Sequence, residues 1–123
     1  MTRVLVADDE PEILGVVSAM LEAEGHDVVT AADGAEAVRR AVEAQPDLVI
    51  LDIMMPRVDG LTALGQLRDG PLTKDIPVLL LTAKKGTLDV EVGLKAGASA
   101  YLTKPFRRRE LVAEVKRLTA GGR

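Results

Sequence analysis

Five residues of this 123-residue chain have the types and spacing to do chemistry. They are Asp8 and Asp9 in "VLVADDEPEI", Asp52 in "DLVILDIMMPRVDG", Thr82 in "PVLLLTAKK" and Lys104 in "GASAYLTKPF". Adjacent carboxylates at the mouth of a buried segment resist ionising together, because each raises the other's pKa and burial raises both, unless a cation stands close by. A hard divalent ion held through carboxylate oxygens and water is such a cation. Mg2+ in particular uses one or two carboxylates and keeps positions for a phosphate oxygen. Metal binding alone needs neither a lysine nor a threonine. Phosphoryl transfer needs both, since cations and hydrogen-bond donors must surround three equatorial oxygens as charge redistributes. Within that set Asp52 is the natural nucleophile, because an aspartate oxygen can accept a phosphoryl group as a mixed anhydride.

The elements that must position these residues are legible from periodicity. Short apolar runs carrying β-branched residues at 3–7, 27–31, 47–52, 77–82 and 99–103 predict five strands. Between them Ile13, Val17, Met20 and Leu21, then Val38, Ala41 and Val42, then Leu61, Leu64 and Leu67, and finally Leu111, Val115 and Leu118 recur at helical spacing. The gap at 84–98 is the least regular. Leu88, Val92 and Ala96 step by four, but Gly86, Gly93 and Gly97 each weaken a helix interior by up to ~1 kcal/mol. Pro11 suits a first helical turn, Gly25 a helix stop, "DG" at 33 and 34 a turn, and "QPD" at 45–47 a break. Alternating strands and helices predict an α/β domain, a doubly wound five-stranded parallel sheet with helices on both faces. Ligands of such sheets gather at the carboxyl edge, and all five candidate residues fall at or just after strand ends.

Length and 47% hydrophobic content are those of one domain, taken as 1–123. The absence of cysteine excludes disulfides and thiolate metal sites. No apolar run is long enough to span a bilayer and the amino end has no signal-peptide pattern, so the expectation is a cytoplasmic protein with no membrane partner. The net charge of −3 conceals a division: residues 1–60 carry 13 acids and 4 bases, and residues 61–123 carry 6 acids and 12 bases, giving −9 and +6. Tyr101 and Phe106 are the only aromatic residues, which argues against direct nucleic-acid binding by base stacking.

Taken together, the four quoted segments, in this order and at this spacing, resemble the receiver domains of two-component response regulators, the CheY-like branch of flavodoxin-like folds. The resemblance covers the whole chain. It implies that Asp52 accepts phosphate from a phosphohistidine on a sensor histidine kinase or phosphotransfer protein. It implies Mg2+ bound by Asp9, Asp52 and the backbone carbonyl of Met54, with Asp8 acting through water. Lys104 would hold a phosphoryl oxygen, with a cis peptide between Lys104 and Pro105. Thr82 would bond the phosphoryl group while Tyr101 swings inward, altering the surface of the fourth helix, fifth strand and fifth helix for a downstream protein target. Slow self-catalysed dephosphorylation would reset the switch. Ala98, Ser99 and Ala100 stand where the family often has alanine and two acids, and "RRR" at 107–109 stands where acidic or neutral residues are frequent. These departures bear on the acidic-to-basic dimer contact of the transcription-factor branch, and both a monomer and a phosphorylation-dependent dimer remain open. No DNA-binding segment follows the fifth helix, so the expectation is a stand-alone regulator or a piece of a longer one.

Singly, each of these residues has an ordinary explanation. A strand-end acid is usually a solvated turn residue or helix cap, Thr82 a β-former, Lys104 a solvated charge. Glu10 and Glu12 read as first-turn acids suiting the helix dipole, His26 as a turn residue, and Met54 and Met55 as core and loop filler. Arg107, Arg108 and Arg109 read first as a solvated run. Their place at a helix amino end, where cations are disfavoured, also makes them, with Lys95, a candidate partner patch. Two other functions compete with the switch. An aspartate-nucleophile phosphatase would need a general acid two residues after Asp52, where Met54 stands. A degenerate receiver serving as a constitutive binding module would have no need of all five residues.

Overall fold

The computed structural model describes residues 2–83 and 88–120, except the side chains of 88–90. Strands β1 (Arg3–Ala7), β2 (Asp27–Ala31), β3 (Leu48–Asp52), β4 (Val78–Thr82) and β5 (Ala100–Thr103) alternate with helices α1 (Pro11–Ala23), α2 (Gly34–Ala44), α3 (Gly60–Asp69), α4 (Leu88–Lys95) and α5 (Arg108–Ala120). All strand pairs are parallel and the order across the sheet is β2-β1-β3-β4-β5. Gly86, counted above against the fourth helix, lies outside the described residues.

Alternation along the strands divides the core into two layers. Leu5, Ala7, Val49, Leu51 and Leu80 face α2 and α3, meeting Ala37, Ala41, Ala63, Leu64 and Leu67. Val4, Val6, Leu48, Ile50, Leu79 and Leu81 face α1 and α5, meeting Val17, Leu21, Leu111 and Val115. Burial on both faces is why β3 and β4 read as unbroken apolar runs.

Helix ends follow their capping residues. Pro11 opens α1, and Gly25 follows it at φ 90°. The "DG" at 33 and 34 is not a free-standing turn. Asp33 Oδ1 accepts the Glu36 N–H at 2.8 Å and so caps α2, while Gly34 is already its first residue. The dipeptide signal is shared by turns and N-caps, and the helical pattern after it decides between them. Asp59 caps α3 in the same way through the Thr62 N–H at 2.8 Å.

In-register pairing brings the strand ends level. Ala7 lies opposite Leu51, Asp52 opposite Leu81 and Thr82 opposite Thr103, so the residues that follow β1, β3 and β5 open onto one edge.

Candidate functional site

At that edge Asp8, Asp52 and Thr82 are buried, whereas Asp9 is exposed. One carboxylate oxygen from each of Asp8, Asp9 and Asp52 lies within 4.8 Å of the others. Lys104 enters from the end of β5. Its Nζ stands 2.9 Å from Asp8 Oδ2, 3.4 Å from Asp52 Oδ1 and 3.5 Å from Glu10 Oε1. The Lys104 N–H donates to the Thr82 carbonyl at 2.7 Å, which ties the lysine backbone to β4, and the Lys104–Pro105 peptide is cis. Asp8 is fixed from both sides, its Oδ1 accepting the Glu10 N–H at 2.9 Å and its Oδ2 the lysine.

The charges do not balance. Three acids share one lysine with Asp9 beside two of them, and burial followed by the neighbouring Asp8 charge pushes the Asp52 carboxyl up to about 6, against the pull of Lys104 and of the Met54 N–H. Burial alone would lower the Lys104 pKa, but its hydrogen bond to Asp8 and the charges of Asp52, Asp8 and Glu10 outweigh that and hold its proton more firmly than usual. A divalent cation fits this arrangement, since the donors are all hard oxygens, close enough to share one ion, and carry more negative charge than Lys104 offsets.

Glu10 is the member the sequence did not reveal. It ranks as an ordinary first-turn acid by position, yet as the N-cap of α1 its side chain reaches Lys104. The partial signal was its place directly after Asp8 and Asp9. Tyr101 sits on β5 with 40% of its surface exposed. Met55 is buried in the core and Met54 is exposed. Arg107, Arg108 and Arg109 come together beside Glu24 and Val112 around an apolar recess, with Arg108 Nη2 3.4 Å from Glu24 Oε2. The parallel topology does not bring Lys95 to them, because α4 ends at the opposite edge of the sheet from the start of α5. The cations at the α5 amino end are offset locally by Glu110, whose Oε1 accepts the Arg107 N–H at 2.7 Å.

The family model for the response regulator receiver domain matches residues 4–116. The chain belongs to that family. Among curated relatives, this receiver domain is 46% identical over 114 residues to the alkaline phosphatase synthesis transcriptional regulatory protein PhoP of Bacillus subtilis, covering 93% of this chain and 47% of the relative. It is 48% identical over 118 residues to the DNA-binding dual master transcriptional regulator RpaA of Synechocystis, covering 96% and 49%. The receiver domain thus spans about half the length of these relatives. Among solved structures, the Francisella response regulator 1452 receiver domain superposes with TM-score 0.93 at 36% identity, covering all of both chains. The receiver domain of sensor histidine kinase PA1611 from Pseudomonas aeruginosa, which has a magnesium ion coordinated in its active site cleft, superposes with TM-score 0.90 at 34% identity, covering 97% of this chain and 98% of that one. Receiver domains are phosphoacceptor signalling modules that partner with histidine kinases, and the Asp8, Asp9 and Asp52 cluster with Lys104 is consistent with that role here. No helix among the described residues is long and apolar enough to cross a membrane.

Proposed function

We propose that the chain is a phosphorylation-driven switch whose phosphoacceptor is Asp52. The observation that supports this most is the sharing of one lysine among Asp8, Asp52 and Glu10, with Asp9 beside them. Such a site attracts Mg2+ and, through it, a phosphoryl group. Asp9, Asp52 and the Met54 carbonyl would hold the ion directly, with Asp8 acting through water. When bound, the ion neutralises carboxylate charge and stabilises the negative charge of the group in flight.

In the transfer, an Asp52 carboxylate oxygen attacks phosphorus in line, the N–P bond of the kinase phosphohistidine breaks, and its electron pair returns to the imidazole. Lys104 then exchanges its carboxylate partner on Asp52 for a phosphoryl oxygen, and the Thr82 hydroxyl turns toward the same group. The space left behind Thr82 admits Tyr101, which turns inward from its exposed position. The surface of α4, β5 and α5 changes as a result and is read by a protein target. Arg107, Arg108 and Arg109 add positive charge beside this face, which would speed encounter with an acidic partner.

Intact-mass measurement after treatment with acetyl phosphate tests this. One phosphoryl group should add in Mg2+, none in EDTA, and none in Asp52→Asn under either condition. Labelling of Asp52→Asn equal to wild type would overturn the assignment, and rapid catalytic turnover of the small phosphate would favour a phosphatase.

A further inference from the structure

The connection between β3 and α3 carries Met54 past the acidic site and is held at its two ends. At one end the Ile53 N–H donates to the Leu81 carbonyl at 3.0 Å and the Ile53 carbonyl accepts the Gly60 N–H at 2.9 Å. At the other, the Val58 carbonyl accepts the Gly34 N–H at 2.9 Å. Gly34 has to be glycine for that approach, since a Cβ there would overlap the Val58 carbonyl oxygen. Between these anchors runs the Met54–Pro56 span, whose Met54 N–H bonds the Asp52 carboxylate.

Arg57 closes the span from the far side. It adopts φ 64°, a left-handed conformation that disfavours a side chain, and its Nε and Nη2 both lie 3.1 Å from Asp33 Oδ2. The other Asp33 oxygen caps α2, so a single buried carboxylate joins the helix start to the loop. Arg57 lies largely in water, so its pair with the buried Asp33 contributes little to global stability and its value here lies in where it holds the backbone.

We propose that Asp33 and Arg57 are positioning residues for the cation site, their pairing holding the Met54–Pro56 span so that the Met54 carbonyl stays beside Asp52. This rests on the reading of the acidic cluster as a Mg2+ site. Neither side chain touches the ion, and both act through the backbone of the loop.

Calorimetric titration of the unphosphorylated protein with Mg2+ separates the two claims. Arg57→Ala and Asp33→Asn should each weaken Mg2+ binding by about three- to tenfold, the double variant should be no weaker than either single one, and Arg57→Lys should recover most of the loss. Asparagine still caps α2, so Asp33→Asn removes the pair without removing the cap. The urea midpoint of both variants in EDTA should match wild type, and their labelling rate by acetyl phosphate should return to the wild-type value at saturating Mg2+. Wild-type Mg2+ affinity in both variants, or a labelling rate that stays depressed at saturation, would overturn the positioning role. Failure of the wild type itself to bind Mg2+ would instead overturn the metal reading on which it rests.

Discussion

At the carboxyl edge of the sheet Lys104 faces Asp8, Asp52 and Glu10, whereas toward the amino edge Arg68, in the last turn of α3, donates its hydrogen bonds to backbone carbonyls. Its Nε and Nη2 donate to the Gly97 carbonyl at 3.0 and 2.8 Å, and its Nη1 to the Ile76 and Lys74 carbonyls at 2.7 and 3.1 Å. Burial lowers the Arg68 pKa, with the Asp75 charge opposing, while the acids around Lys104 raise that of the lysine. Both are partly buried cations, but one is surrounded by dipoles that it satisfies and the other by charges that it cannot balance. The first arrangement is complete without any ligand and ties α3 to the turns before β4 and β5. The second is left short of positive charge, and on that imbalance rests the proposed response to a metal and a phosphoryl group.

Loss of the Arg68 side chain should cost the fold most. Arg68→Met should destabilise the protein by ~2–4 kcal/mol, because the partly buried Gly97 and Ile76 carbonyl oxygens lose their donor, whereas the exposed Lys74 carbonyl turns to water. Urea unfolding should report the same loss with and without Mg2+, and acetyl phosphate labelling of Asp52 should persist. A loss under about 1 kcal/mol would mean that the carbonyl cage is replaceable by solvent. Rescue by Mg2+ would mean that the two ends of the sheet are coupled.

The acidic end should behave in the opposite sense. Asp52 has its pKa raised from 3.8 to about 6, so the folded state binds its proton more tightly than the unfolded chain does. Without metal, the contribution of this group to stability therefore falls as pH rises between those two values and is level above them. Its ionisation costs the fold roughly 3 kcal/mol at neutral pH. Asp52→Asn should remove that cost, making the variant more stable than wild type in EDTA at neutral pH, with the advantage vanishing below pH ~4. Mg2+ bound at the proposed site would relieve the same repulsion from outside. A hundredfold excess over its dissociation constant should add ~2.7 kcal/mol to wild type and much less to the variant. A variant less stable than wild type in EDTA at neutral pH would show that Asp8 and Asp52 are already neutralised by Lys104.

The two ends also differ in how far the sequence disclosed them. Asp8, Asp9, Asp52, Thr82 and Lys104 each follow an apolar run, and a parallel sheet sends every strand end to one edge, so strand boundaries alone brought them together. Arg68 gave no such sign. In sequence it is an ordinary cation in the last turn of a helix, and its partner Gly97 lies 29 residues away on a turn whose approach depends on tertiary packing. Arg57 and Asp33, 24 residues apart, were hidden for the same reason, and "DG" at 33 and 34 gives a turn and a helix start the same local signal. Five strands were legible because short apolar runs are a local signal. The capping and latch contacts that join them are set by which loops meet, and periodicity does not carry that information.

The smallest expected effect is optical, and it tests whether the charge-starved end transmits its state. Tyr101 is the only tyrosine and there is no tryptophan, so emission excited in the tyrosine band reports this one side chain. The residue is 40% exposed on β5, open to a quencher in solution. Phosphorylation of Asp52 should favour the inward rotamer by the amount typical of coupled sites, ~1–3 kcal/mol, enough to turn a minor population into the major one. Iodide quenching of Tyr101 should therefore fall when acetyl phosphate and Mg2+ are added together, and stay unchanged with either alone. Thr82→Ala should keep the label on Asp52 yet lose much of the fall in quenching, because the hydroxyl proposed to turn toward the phosphoryl group is gone. If quenching falls equally in wild type and Thr82→Ala, the signal reaches Tyr101 by a route that does not pass through Thr82. If it falls in neither while Asp52 is fully labelled, the site stores the phosphoryl group without moving the ring.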